Sequence, residues 1–394
     1  MDGVEGRQMC NKKCGIINYW WCNDNGAILT AYALQSLLNE LGFLNELINM
    51  APESNYNRTD GISMQFEKKF FSSTKPLYSK HDYKNLNKYF DIFIVGSDQV
   101  FRGEWVSNKW FLDFVKLSKR KIAMSASFGI GNLSVDRHRE REIKYLLNRF
   151  NDISIREKSG VELCKSMNIT ASYVIDPVFL VDSKYYLKIF QNEKNVNKSN
   201  KHIFGYFRDK TDAKIEQINM IAKEFDLKIF IADDSTSVEN FLKMLYTSQM
   251  VLTDSYHGLC FSLIFNKKYA CYYNSLRGND RFETLIEVLG IDEKKFVEES
   301  DSASVIRAIN ISEDWDGINQ KIEEQKKKGV EWLKNALTCP TEINKKKLKD
   351  AFWNQKIGNL GYNFKKFIFH NIISQKGYLC LIRIIKMIKH KLKY

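Results

Sequence analysis

One histidine stands where the chain has the means to hold an anion. In Thr253-Asp254-Ser255-Tyr256-His257-Gly258 a short apolar run ends in polar residues, and the apolar segment that follows is too long for a strand. The order reads as strand, turn and buried helix, with Asp254 or Ser255 as the cap and His257 in the first turn. A helix N-terminus offers unpaired N–H groups and a partial positive charge, which suit phosphate. A histidine at that point can bind the phosphate or move a proton. The plainer alternative is a capped core helix whose histidine faces solvent.

Other residues could share such chemistry. Asp98 follows an apolar run and is a candidate base, or else a turn or helix cap. Arg156 also follows a short apolar run. Its planar guanidinium can hold a carboxylate or phosphate through two hydrogen bonds, or pair with Glu157 instead. Arg281 comes just after Gly278-Asn279-Asp280 at another expected helix start, where it could reach into a cleft or lie on the surface. Asn25 and Gly26 open the first amphipathic segment and make a second potential anion site. Tyr19, Trp20 and Trp21 precede them, as sugar-stacking faces or as filling for a domain interface.

These residues sit at the ends of regularly recurring elements. A strand is expected over 14–18, a helix over 26–41 ended by Gly42, and a strand over 44–49. That order indicates a parallel sheet. Further strands read at 91–95, 121–127, 153–156 and 172–175, with an outer helix at 136–148 and another at 161–167. Polar groups recur where each strand stops, which is where open α/β sheets bind ligands. A linker rich in Asn and Lys covers 191–201, and the alternation then restarts with strands at 202–207, 228–232, 250–253 and 269–273. The expected architecture is α/β, with two Rossmann-like domains facing a cleft. The first covers 1–190 (acceptor side), the second 191–338 (donor side), and a basic helical extension covers 339–394.

Composition narrows the function classes. A chain of 394 residues with 44% hydrophobic and 27% charged residues has the balance of a folded globular protein. Nearly all of its net charge of +13 lies in residues 341–394, which carry 13 Lys/Arg against 2 Asp/Glu. The body is close to neutral, so nucleic acid is not an expected partner. Eight scattered cysteines suggest a reducing compartment, and Cys10, Cys14 and Cys22 match no common zinc spacing, so no metal is expected. No secretory signal or run long enough to span a bilayer is apparent. Within the extension, 377–394 fits an amphipathic helix. Arg383, Lys386, Lys389 and Lys393 oppose Leu381, Ile384, Ile385 and Ile388 there, a pattern suited to an anionic membrane surface or to docking on the body.

Taken together, the segments Asn25-Gly26-Ala27-Ile28-Leu29, Val95-Gly96-Ser97-Asp98-Gln99-Val100, Ala126-Ser127-Phe128-Gly129, Ile155-Arg156-Glu157-Lys158-Ser159-Gly160, Asp176-Pro177-Val178-Phe179-Leu180 and Thr253-Asp254-Ser255-Tyr256-His257-Gly258 resemble the polysaccharide pyruvyl transferase family. Arg281-Phe282, Leu285 and Leu289-Gly290 continue the likeness, which spans about 14–292. The resemblance implies a fold like that of the two-domain GT-B glycosyltransferases. It implies transfer of a pyruvyl group from phosphoenolpyruvate to a sugar of a cell-surface polysaccharide or its lipid-linked precursor, with a cyclic ketal as product. It implies no metal and no cofactor, phosphoenolpyruvate being a co-substrate. On this reading His257, Ser255, Gly258, Arg156 and Arg281 hold the donor, and Asp98 and His257 exchange protons. The protein is then expected in the cytoplasm, peripheral to the inner face of the cell membrane. Many members carry an arginine two positions before the histidine; here that residue is Ser255. A sugar-nucleotide glycosyltransferase of the same architecture, or a non-catalytic polysaccharide-assembly protein, are the alternatives.

Overall fold

A computed structural model describes residues 10–50, 61–103, 106–191, 201–273 and 278–371. The expected tail helix at 377–394 and most of the 191–201 linker lie outside these residues. The first sheet comprises β1 (Cys10–Ile17), β2 (Phe43–Leu47), β3 (Ile92–Val95), β4 (Arg120–Ala126), β5 (Asp152–Ile155) and β6 (Ser172–Tyr173). All are parallel, in the order β2-β1-β3-β4-β5-β6. The helices α1 (Asn25–Glu40), α2 (Ile62–Phe70), α3 (Lys80–Tyr89), α4 (Arg137–Leu147) and α5 (Lys158–Ser166) belong to this unit, and α6 (Ser183–Phe190) bridges to the next, with Tyr186 against Tyr32 and Phe190 against Tyr246.

The second sheet contains β7 (His202–Tyr206), β8 (Lys228–Ala232), β9 (Met250–Thr253), β10 (Lys268–Tyr272) and β11 (Phe296–Val297), again all parallel, in the order β11-β10-β9-β7-β8. Its helices are α7 (Asp212–Glu224), α8 (Val238–Thr247), α9 (Tyr256–Ile264), α10 (Asp280–Leu289) and α11 (Ser302–Asn310). The strand order reverses direction between β1 and β3 and again between β7 and β9, and crevices open at such points beyond the strands' C-terminal ends. Strands β3 and β9 are buried along their whole length, which explains their unbroken apolar runs.

The chain then crosses back. Helix α12 (Trp315–Thr338) starts beside the second unit, with Lys321 at Gly290 after α10, and runs on to the first. Lys326 meets Asp182, the Arg120 guanidinium donates to the Leu337 carbonyl, and Gly329 packs under Leu180 and Val174. Helix α13 (Lys345–Asn371) continues on the first unit and packs along α4. Helix α12 thus bridges the two units, and α13 stays with the first. An amphipathic helix goes where its apolar stripe finds cover, and sequence spacing does not say which sheet supplies it.

Candidate active site

The two units meet at the C-terminal ends of their strands around a cavity of about 280 Å³. Tyr19, Asp98, Gln99 and Arg102 line it from the first unit, and Arg208, Asp254, Ser255, Tyr256, His257 and Arg281 from the second.

Helix α9 starts as expected. Ser255 is its N-cap, and its hydroxyl accepts from the Gly258 amide at 3.3 Å. The amides of Tyr256 and His257, in the first turn, have no acceptor among the described residues, so they remain donors for an anion. Asp254 takes another role. It accepts from the amides of Arg208 and Asp209 at 2.5 and 3.1 Å and from the Lys214 ammonium at 2.7 Å. It thereby fixes the loop after β7 that carries Arg208 to the cavity.

His257 does not face solvent. Its Nε2 lies 3.0 Å from the Thr30 hydroxyl of the first unit. That hydroxyl donates to the Gly26 carbonyl at 2.9 Å. Its proton is thus committed, so it can only accept from the imidazole. This arrangement puts the proton of the neutral ring on Nε2 and leaves Nδ1 as the acceptor. The ring lies against α1: a Cβ on Gly26 would fall 2.3 Å from His257 Nδ1, so only glycine leaves room for it.

Behind the cavity runs a buried charge network. The Arg156 guanidinium donates to Asp176 at 2.7 Å, to the Ser97 hydroxyl at 3.2 Å and to Asp98 at 3.2 Å. Ser97 donates to Asp176 at 2.7 Å. Asp176 also lies 3.8 Å from His257 Nε2, beyond hydrogen-bond reach, so it acts there through charge. Burial opposes ionisation of Asp176, yet His257 and Arg156 hold its carboxyl well below the usual carboxylate range. Burial likewise works against Asp98, and Arg156, His257, the Gln99 amide and Arg281 outweigh it. Asp98 therefore stays ionised with its carboxyl pushed down, and a fifth of its side chain (21%) is exposed. Its φ of 108° is rare for a residue with a side chain and costs roughly 1–3 kcal/mol. The carbonyl holds this conformation by accepting from the amides of Val100 and Ser127.

Arg281 lies at the start of α10 and is nearly buried. Burial, and then the like charge of Arg156, push its guanidinium down to about 10. The Tyr256 ring serves both cations, 4.7 Å from the Arg156 guanidinium carbon and 5.4 Å from that of Arg281. The carboxylates of Asp98 and Glu157 oppose the downward shift of Arg281. Arg208 completes the rim, paired with Asp24 at 3.0 Å.

Four sequence candidates therefore converge on the cavity: His257, Ser255, Asp98 and Arg281. The others are placed differently. Arg156 has no exposed side-chain surface and clamps Asp98 and Asp176 from behind the cavity. At Gly258 the absent side chain makes room for Thr253, whose Oγ1 would lie 2.2 Å from a Cβ. The glycine serves internal packing and not a ligand's approach. Trp20 and Trp21 are buried at 0% and 4% exposure; Trp20 meets Phe71, and Trp21 stacks near Trp110. Of that aromatic run only Tyr19 lines the cavity, and burial, then Asp98, raise its phenol to about 12. At the start of α1 the amides are already engaged. Asp24 caps it, accepting from the Gly26 and Ala27 amides at 2.9 and 3.3 Å. Asn25 is spent on the domain interface, donating to the Thr236 carbonyl at 3.1 Å.

Sequence reasoning missed Arg208, Arg102, Asp24 and Thr30. Arg208 follows β7 as Arg156 follows β5, so the rule that polar strand ends face the cleft would have found it. Thr30 had no signal, because a threonine inside a helix ordinarily bonds only its own backbone.

A family model for polysaccharide pyruvyl transferase matches residues 26–275. Among solved structures, the chain is similar to a putative UDP-N-acetylglucosamine 2-epimerase from Listeria monocytogenes, with a TM-score of 0.55 and 11% identity, over 83% of this chain and 96% of that one. It is also similar to UDP-GlcNAc 2-epimerases from Neisseria meningitidis (TM-score 0.52, 15% identity, 82% and 100% covered) and Methanocaldococcus jannaschii (TM-score 0.51, 14% identity, 76% and 92% covered). At such identities the likeness is one of fold, two facing Rossmann-like units. No curated protein matches the sequence.

Proposed function

The chain belongs to the polysaccharide pyruvyl transferase family, and from that premise we propose that this cavity moves the pyruvyl group of phosphoenolpyruvate onto two hydroxyls of one sugar. The observation that supports this most is the convergence of Ser255, His257, Asp98 and Arg281 on one cavity at the first turn of α9. A small molecule with one phosphate and one carboxylate suits such a set of donors and proton-transfer groups. Ser255 and the Tyr256 and His257 amides take the phosphate, and Arg281 pairs with the donor's charge.

The reaction adds a proton to the donor's methylene carbon and leaves a cation-like centre at the neighbouring carbon. A sugar hydroxyl attacks that centre and gives up its proton. The phosphate then leaves with a proton, and a second hydroxyl closes the ketal, its proton replacing the one that the methylene carbon took up. One donor and one diol yield one ketal and one inorganic phosphate. Asp98 suits the cation-like centre, since its carboxylate stays ionised and opens on the cavity. It also accepts the attacking hydroxyl's proton. His257 passes the Nδ1 proton to the leaving phosphate, its ring oriented by Thr30. Tyr19 and Arg102, on the first unit's side, face the acceptor sugar.

Differential scanning fluorimetry with phosphoenolpyruvate and with a panel of UDP-sugars tests the reading. A rise in melting temperature with phosphoenolpyruvate and none with the UDP-sugars is expected. Stabilisation by a UDP-sugar alone would replace this proposal with the glycosyltransferase reading.

A further inference from the structure

Helix α13 presents a face that no other described residue covers. Its inner side is well anchored. Thr341, just before it, donates to Asp152 at 2.7 Å, Phe352 meets Tyr145 at 5.7 Å, Gly358 lies under Arg141, and Tyr362 meets His138 at 5.1 Å. The α4 partners fall in number as those of α13 rise, so the two helices run antiparallel. With the inner face pinned, the outer one is defined. Trp353, Ile357 and Leu360 project from it, 52%, 55% and 71% exposed. Steps of four and three residues keep them on a single stripe. Lys346 falls within the same stripe by helical spacing and Lys349 and Lys356 along its edge, all three exposed.

We propose that this stripe lies in the surface of an anionic membrane. Large apolar side chains among lysines on a fixed, outward helix face match an interfacial helix, where the apolar groups enter the acyl boundary and the ammonium groups meet headgroup phosphates. The charge supports that occupant over others. Residues 341–394 carry a net +11, so two copies of the chain meeting face to face would repel. A nucleic acid would use the lysines but leave Ile357 and Leu360 without purpose. The helix also has a direction. It starts near Asp152 at the foot of β5 and rises to His138, at the end of the sheet where the cavity opens. A membrane along the stripe thus reaches the edge from which a lipid-borne acceptor would enter. None of the described helices is long and apolar enough to cross a membrane.

The test is vesicle sedimentation with the full chain, and it reads binding without turnover, so it stands apart from the transferase proposal. The protein should sediment with vesicles of phosphatidylcholine containing about 30 mol % phosphatidylglycerol, and release should follow at about 0.5 M salt. Vesicles of phosphatidylcholine alone should retain little. The variant Trp353→Ser/Ile357→Ser/Leu360→Ser should partition about a hundredfold more weakly at an unchanged melting temperature, since all three side chains are exposed. The variant Lys346→Glu/Lys349→Glu/Lys356→Glu should lose a similar factor. Wild-type partitioning by the serine variant would overturn the proposal, and so would failure of the parent chain to sediment. So would a parent dimer that the serine variant turns into a monomer, because the stripe would then be a contact between copies. Oligonucleotide binding that needs the lysines but not Trp353, with no vesicle binding, would also refute it.

Discussion

Replacing Arg156 by methionine separates two roles that look alike in the sequence. If Arg156 bound the donor, its loss would raise the KM for phosphoenolpyruvate and leave the fold alone. The geometry predicts the reverse. Its guanidinium holds Asp176 at 2.7 Å and Asp98 at 3.2 Å with no exposed surface of its own. Methionine fills much the same volume but leaves the Asp176 carboxylate buried with Ser97 and a histidine 3.8 Å away. Stranding one member of a buried pair costs about 3–5 kcal/mol. At about 2–4 °C per kcal/mol this is a drop in melting temperature on the order of 10 °C. The double variant Arg156→Met/Asp176→Asn removes the stranded charge and should recover most of the loss, a positive coupling in a double-mutant cycle. Activity carries a second signature. With Asp98 as the proposed base, the acid limb should lie below the ordinary aspartate value of about 3.9 in the parent chain and move up in Arg156→Met. Calorimetry of the four proteins, with a pH profile of phosphate release for the parent and the single variant, decides the matter. A single variant that melts within a degree of the parent and shows only a raised KM would refute the reasoning.

Other expectations follow from the same geometry. His257→Ala and Asp98→Ala should fold normally and lose about 10²–10⁴-fold in phosphate release; wild-type turnover in either removes that residue from the chemistry. Gly26→Ala places a Cβ 2.3 Å from His257 Nδ1, so it should cost about 1–3 kcal/mol of stability and at least a tenfold loss of turnover, read by melting and by steady-state assay. Thr30→Val keeps the shape but removes the hydroxyl that fixes the imidazole, so kcat should fall while the KM for phosphoenolpyruvate stays within about twofold. Folded Asp176 and Asp98 carboxyls lie below their unfolded values. The stability they confer is complete above about pH 3.9 and is lost as pH falls beneath it, so the melting temperature should drop steeply there, and less steeply in Asp176→Asn.

The strand ends were legible because buried parallel strands are apolar throughout, so the first polar residue after each run marks the cleft edge. That is how Asp98, Ser255 and His257 came forward. Direction around the strand end was not legible. Trp20 and Tyr19 are neighbours in sequence, yet one is sealed in the core and the other lines the cavity. Nor does a motif reveal which donors are already taken. Asn25-Gly26 has the form of an anion site, but the preceding residue is a carboxylate that occupies its amides. Arg156 and Arg281 read equally as cleft arginines, and only the position of Asp176, twenty residues on from the first, decides which is withdrawn. Helix α12 shows the same limit at larger scale, since its stripe fits either sheet.

The hydrogen bond between Thr30 and His257 joins two halves that fold around separate sheets. A change in either partner is felt by the other, and neither half can retune that proton by itself. Across a large set of relatives, positions 26, 30 and 257 should therefore vary as one unit or hold still together. The two halves should also resist exchange with those of distant relatives, unless all three positions travel with them.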